Sequence, residues 1–184
     1  MRIVDLRPDD TDAIHQAAAL LVEVFKEHWP NAWSDMASAL DEVRESFGSG
    51  RVSRVALDDT GAVLGWVGGI PGYGGNVWEV HPLAVRPAHQ RRGIGRALLA
   101  DLESLARERS VLTLWVGTDD EDDMTTLAGV DLYADIPGHI AHVRNLRGHP
   151  YEFYQKMGFV IAGVVPDANG LGKPDILMAK RVGR

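Results

Sequence analysis

The run Gln90-Arg91-Arg92-Gly93-Ile94-Gly95-Arg96 combines closely spaced glycines with a cluster of arginines. Glycine lets backbone N–H groups approach an anion, and a run that opens a helix adds the unpaired amides and positive dipole of the first turn. With Arg86 just upstream, the chemistry on offer is the binding of a pyrophosphate. The dinucleotide fingerprint Gly-x-Gly-x-x-Gly is not completed, because Leu98 occupies its third glycine position.

A second set of chemical residues lies in Val77-Trp78-Glu79-Val80-His81-Pro82-Leu83-Ala84-Val85. Strand alternation puts Glu79, His81, Leu83 and Val85 on one face and Trp78, Val80 and Ala84 on the other. Proline inside such a strand points to a bulge or a splayed edge, which leaves N–H and C=O groups for a ligand. A carboxylate on a core strand is unfavourable unless it is paired or used, so Glu79 is a candidate proton acceptor. His81 reads equally as a second proton carrier and as a satisfied histidine at the sheet edge. Farther on, Asp119-Asp120-Glu121-Asp122-Asp123, followed by Asp131 and Asp135, would concentrate a polycation.

These residues need elements to hold them. Residues 1–7 and 51–58 read as strands, as does Val63 to Ile70, ending at Pro71 and Gly72. Between the first two lie two helices. Thr11 is the expected cap of one, with Ile14, Ala17, Leu21, Val24 and His28 on its face, and Ser34 of the other, carrying Met36, Leu40, Val43 and Phe47. A strand at 77–85 leads through the glycine turn into a helix from Gly93 to Arg109, with Ile94, Leu98, Leu102 and Leu105 on one face. Strand 111–117, helix 149–157 closed by Gly158, and strands 159–165 and 175–181 complete the order β-αα-βββ-α-β-α-ββ. That order implies an α/β (α+β) fold, a mixed sheet with helices on both faces. The stretch 118–148 is too long for an ordinary connection.

With 184 residues and 45% hydrophobic content, one core and one domain spanning 1–184 are expected. The formal charge of -7 argues against nucleic acid and suits a cationic partner. There is no cysteine for a disulfide, a thiolate nucleophile or a thiolate metal site. The start Met-Arg-Ile-Val-Asp-Leu lacks the apolar core of a signal peptide and no apolar run approaches a membrane span, so cytoplasmic residence is the expectation.

Gln-x-x-Gly-x-Gly after a strand resembles the acyl-CoA signature of the GCN5-related N-acetyltransferases. By that resemblance Gln90, Arg91, Arg92, Gly93, Ile94, Gly95 and Arg96 are the loop whose amides hold the CoA pyrophosphate. The sheet would be splayed at the preceding strand, where the backbone of Leu83 and Val85 pairs with pantetheine and the Leu83 N–H polarises the thioester carbonyl. Phe153-Tyr154-x-x-x-Gly158-Phe159 resembles the family's second motif and implies Tyr154 as the acid that protonates the departing thiolate. The asparagine that many members place seven residues earlier is Arg147 here, with Asn145 nearby.

Ile70-Pro71-x-Tyr73-Gly74, Trp78-Glu79-x-His81-Pro82-Leu83, Gly117-Thr118-Asp119-Asp120, Asp131-Leu132-Tyr133 and Asn145-Leu146-Arg147-x-His149-Pro150-Tyr151 look, as a set, like the chromosomal aminoglycoside 6′-N-acetyltransferase branch of that family. The resemblance implies Glu79 as general base, an acidic acceptor cleft drawing on Tyr73, Glu79, His81, Asp119, Asp120, Asp122 and Asp135, acetyl-CoA as cosubstrate, no metal, and a homodimer. Two other readings stay open: an acetyltransferase for a protein N-terminus, a lysine or a polyamine, and a non-catalytic CoA-binding sensor.

Overall fold

β-branched and small apolar residues dominate four runs that pair as antiparallel strands: β1 (Arg2–Asp5), β2 (Val52–Leu57), β3 (Val63–Gly72) and β4 (Val77–Val85). β3 continues through Pro71 and Gly72, which pair with Trp78 and Val77, so the expected end at Ile70 is too early. The computed structural model describes residues 1–183. It divides into a unit of Met1–Leu114 with the residues from Val182 onward, and a unit of Trp115–Arg181.

In the first unit, helices α1 (Thr11–Phe25) and α2 (Met36–Glu45) cover one face of the strands. Ala17, Ala18, Leu20, Leu21, Ala39 and Val43 pack there with Val55, Trp66 and Ala84. The caps are Asp10, whose side chain accepts from Ala13 N at 3.0 Å, and Asp35, which accepts from Ser38 N at 2.9 Å. Both lie beside the expected Thr11 and Ser34, and a carboxylate there also suits the positive helix end. His28 falls beyond the end of α1, and Met36 is exposed rather than facing the core. Helix α3 (Ile94–Glu108) covers the opposite face. A Cβ at Gly65 would lie 3.0 Å from Leu98 Cδ1, and one at Gly69 3.0 Å from Leu102 Cδ1, so these glycines let the helix sit close to the strand. Helices thus lie on both faces, as expected.

Strand β5 (Thr113–Asp119) begins two residues later than the expected 111, because Val111 N first closes the end of α3 on Ala106 O. In the second unit β6 (Val160–Val165) and β7 (Asp175–Arg181) pair antiparallel. The long stretch before them holds a 3-10 turn at Leu132–Ala134, helix α4 (Ile136–Ala141) and a bridge between Thr125 and Asn145. Helix α5 (Tyr151–Lys156) is shorter than the expected 149–157. Pro150 precedes it, and Gly158, at φ 87°, follows its last turn. The strand order is β1-β2-β3-β4 and then β5-β7-β6.

Candidate active site

The geometry of β4 turns on one irregularity. Its register against β3 shifts between Val67, which faces Leu83, and Gly69, which faces Val80, so His81 and Pro82 together oppose Gly68. A Cβ on Gly68 would run into the His81 carbonyl, which is why glycine stands there. The extra residue reverses the alternation of side chains. Glu79 and His81 therefore share the α1/α2 face with Ala84, while Leu83 and Val85 share the α3 face with Trp78 and Val80. Three contacts fix this assignment: His81 meets Glu42 of α2, Trp78 lies under Arg109 at the end of α3, and Val85 flanks Gly65 and Leu98. The expected common face for Glu79, His81, Leu83 and Val85 is thus corrected, because regular alternation assumes an unbroken register.

On the acceptor face, His81 Nε2 lies 3.6 Å from Glu42 Oε1, and its ring centroid is 5.9 Å from that of Trp33. Burial works against the imidazolium, but the interaction with Glu42 and the charges of Glu42 and Glu79 outweigh it, so the His81 pKa is raised although Arg51 opposes. Contact with His81 lowers the Glu42 pKa against the effect of burial. Glu79 is half-buried, and among the described residues its carboxylate has neither hydrogen bond nor ion pair. Burial pushes its pKa up, against the pull of His81 and Arg51. A desolvated carboxylate without a partner is a proton acceptor. Tyr73, in the turn between β3 and β4, is 81% exposed and holds a φ of 50°, with its ring toward solvent.

On the other half of β4 the main chain matters. Arg86 N donates to Leu64 O, so by antiparallel alternation Ala84 also bonds toward β3, and the amides of Leu83 and Val85 point away from it. The following turn places Arg91 at φ 58° and Gly93 at φ 84°, and alternation of this kind forms a concavity of N–H groups for an anion. Apart from its own chain neighbours, no described residue lies within 4 Å of where a Gly93 Cβ would sit, and Ile94 starts α3 there. Arg91, Arg92 and Arg96 are exposed and have no acidic partner among the described residues. The turn fits a pyrophosphate. Gln90 has a bracing role in addition, its Nε2 donating to Val85 O at 3.1 Å. Arg86 is occupied elsewhere, bonding Val63 O and Glu23 at 2.7 Å, and leaves the anion to the other three.

In the second unit, Tyr154 is buried between Phe153 and Phe159, and burial holds its hydroxyl well above the ordinary phenol range. The acidic run proves heterogeneous. Asp120 is fully buried, its two oxygens accepting from Met124 N at 2.6 Å and Thr125 N at 2.8 Å, so it shapes the loop. Asp123 pairs with Lys173 at 2.8 Å, and Asp119 accepts from Asn169 at 2.6 Å. Arg147 bonds the carbonyls of Asp122 and Asp123, and Asn145 bonds His149 twice. Buried His149 accepts from Tyr151 N through Nδ1 and reaches the Asp119 carbonyl through Nε2, bracing the same loop. Asp131 caps the 3-10 turn, and Asp135 caps α4 by accepting from Gly138 N at 3.0 Å. Sequence reasoning passed over Glu42 and Trp33. Only the alternation of Ala39 and Val43 around an acidic residue hinted at the first.

The profile of the acetyltransferase (GNAT) family matches residues 15–127. No curated protein matches the chain in sequence. Among solved structures, an aminoglycoside 6′-N-acetyltransferase complexed with coenzyme A is 38% identical, with 100% of this chain and 98% of that chain covered and a TM-score of 0.91. The aminoglycoside 6′-N-acetyltransferase from Enterococcus faecium is 38% identical at the same coverage, with a TM-score of 0.89. An aminoglycoside 6′-acetyltransferase type Ii is 32% identical, with 100% and 99% covered and a TM-score of 0.75. By profile, by full-length likeness and by its seven strands with their glycine–arginine turn, the chain belongs to the acetyltransferase (GNAT) family.

Proposed function

We propose that the chain transfers the acetyl group of acetyl-CoA to the 6′-amino group of an aminoglycoside, by direct transfer in a ternary complex. The likeness over the full chain to aminoglycoside 6′-N-acetyltransferases supports the acceptor. The observation that carries the chemistry is Glu79, a half-buried carboxylate with raised pKa and no partner among the described residues. A polycationic amine supplies the partner it lacks.

In this reading the turn Gln90–Arg96 holds the pyrophosphate, and the amides of Leu83 and Val85 hold pantetheine. Glu79, through a water, takes a proton from the substrate ammonium, and the freed amine attacks the thioester carbon. The Leu83 N–H stabilises the oxyanion, a contact worth roughly 3 kcal/mol at comparable sites. As the C–S bond breaks, Tyr154 gives its proton to the thiolate, which leaves as CoA thiol, and the proton that the attached nitrogen sheds as the amide forms restores the phenol. His81, Tyr73, Asp119 and Asp122 orient the cationic rings. Asp120 drops out of the contact set because the loop consumes both its oxygens, and Asp135 acts through α4. We take 1–184 as a single domain working as a cytoplasmic homodimer. The family profile supports the single domain, since it runs across the boundary between the two units.

The test is thiol release with a panel of amines, followed by mass spectrometry of the product. Kanamycin and other 6′-amino aminoglycosides are expected to gain one acetyl group at that amine, and 6′-hydroxyl analogues none. Turnover confined to peptide N-termini, lysine or polyamines would replace the acceptor. Binding of acetyl-CoA without turnover of any amine would favour the sensor reading.

A further inference from the structure

Glu42 lies on α2 between Ala39 and Val43, the two residues that anchor this helix in the core, and its side chain is 18% exposed. A carboxylate taken that far out of water is costly unless something holds it. His81 does so at 3.6 Å, and the ring of Trp33 flanks that imidazole at 5.9 Å. A helix, a loop and a strand thus converge on one histidine, two residues from the candidate base. The charged groups facing that histidine are Glu42 from α2, Glu79 from β4 and Arg51 before β2, the last 4.0 Å from Glu45.

We propose that Glu42 is a positioning residue of the acceptor pocket, fixing the His81 imidazole through Nε2 beside Glu79. The inference rests on the acetyltransfer reading for its meaning and on the resting geometry for its substance. With Glu42 ionised, His81 stays charged to higher pH, and its positive charge is offset by Glu42 and Glu79 on either side. Removing the Glu42 charge makes His81 neutral earlier on the pH scale. For Glu79 the two losses oppose each other, and that of the positive neighbour His81 is the larger.

The experiment follows the His81 imidazole C–H resonances by NMR against pH, assigned with His81→Asn. In the unaltered protein the midpoint is expected above the roughly 6.5 of a free imidazole. In Glu42→Gln, which keeps an acceptor but no charge, it is expected to fall by about half a unit or more. A kinetic cycle accompanies it: Glu42→Gln combined with His81→Asn should be no slower than His81→Asn alone, since Glu42 acts only through the histidine. An unshifted midpoint in Glu42→Gln, or additive rate losses in the cycle, overturns the proposal. If that variant does not fold, a midpoint at or below about 6.5 in the unaltered protein overturns it too. The titration needs no acceptor, so failure of the aminoglycoside reading would appear in turnover and leave the titration result standing.

Discussion

Glu79 and Tyr154 are both pushed upward in pKa by burial, and in the proposed mechanism the same shift suits them to opposite tasks. A carboxylate with raised pKa is a stronger base. A phenol with raised pKa keeps its proton until a strong base, such as a departing thiolate, arrives. Glu79→Gln preserves shape without basicity, and the single-turnover rate should fall by up to roughly 10²–10⁴-fold. Because Glu79 must be ionised to act, activity in the unaltered enzyme should rise with pH through a limb above the ordinary glutamate value of 4.5, and this limb should vanish in the variant. The sign for stability is opposite. A folded-state pKa raised above the unfolded value means that the native form binds more protons, so stability falls as pH climbs from 4.5 through the raised value. Glu79→Gln should therefore lose rate at neutral pH while gaining in thermal midpoint, which calorimetry on the two proteins reads directly. Tyr154→Phe should bind acetyl-CoA as before and slow only the step in which thiolate leaves.

At the level of elements, two glycines hold the donor and acceptor halves of β4 in place. Gly68→Ala would drive a methyl into the His81 carbonyl, costing about 1–3 kcal/mol and displacing His81, both seen as a lowered thermal midpoint with weakened acceptor binding. At Gly93 the space is open but φ is 84°, so Gly93→Val is strained by its backbone alone. Calorimetry should show CoA affinity reduced by about tenfold or more, since each 1.4 kcal/mol of distortion is a factor of ten. The limits of β4 were legible because apolar alternation begins after a glycine-rich turn and ends at Arg86-Pro87. Pro82 announced the bulge. The reversal of faces was not legible, because alternation carries no information about where a partner strand slips. The partnership of Glu42 with His81 was equally hidden, joining residues far apart in sequence through the packing of α2. The helix caps were missed by one place, since Asp10-Thr11 and Ser34-Asp35 each offer two residue types fit for the task.

For the molecule as a whole, a formal charge of -7 draws cations toward it from all sides, and the acidic loop decides how much of that attraction is local. Five acids in a row look alike in sequence. Their separate fates depend on what the fold brings to them: two backbone amides hold Asp120, Lys173 pairs with Asp123, and Asn169 donates to Asp119. Asp119→Asn with Asp122→Asn should raise KM for the drug more than it lowers kcat, and the difference should shrink as salt screens it. Steady-state kinetics at low and high ionic strength, with unchanged KM at low salt as the contrary outcome, decides the matter. The reversal of faces within β4 also bears on how the enzyme can drift. In the proposed mechanism donor-side duties on this strand fall to the amides of Leu83 and Val85, which every residue but proline supplies, so point mutation can hardly reach them. Acceptor-side duties fall to the side chains of Glu79 and His81, which any substitution alters. New acceptors can therefore be acquired one codon at a time without disturbing what β4 itself offers to the donor.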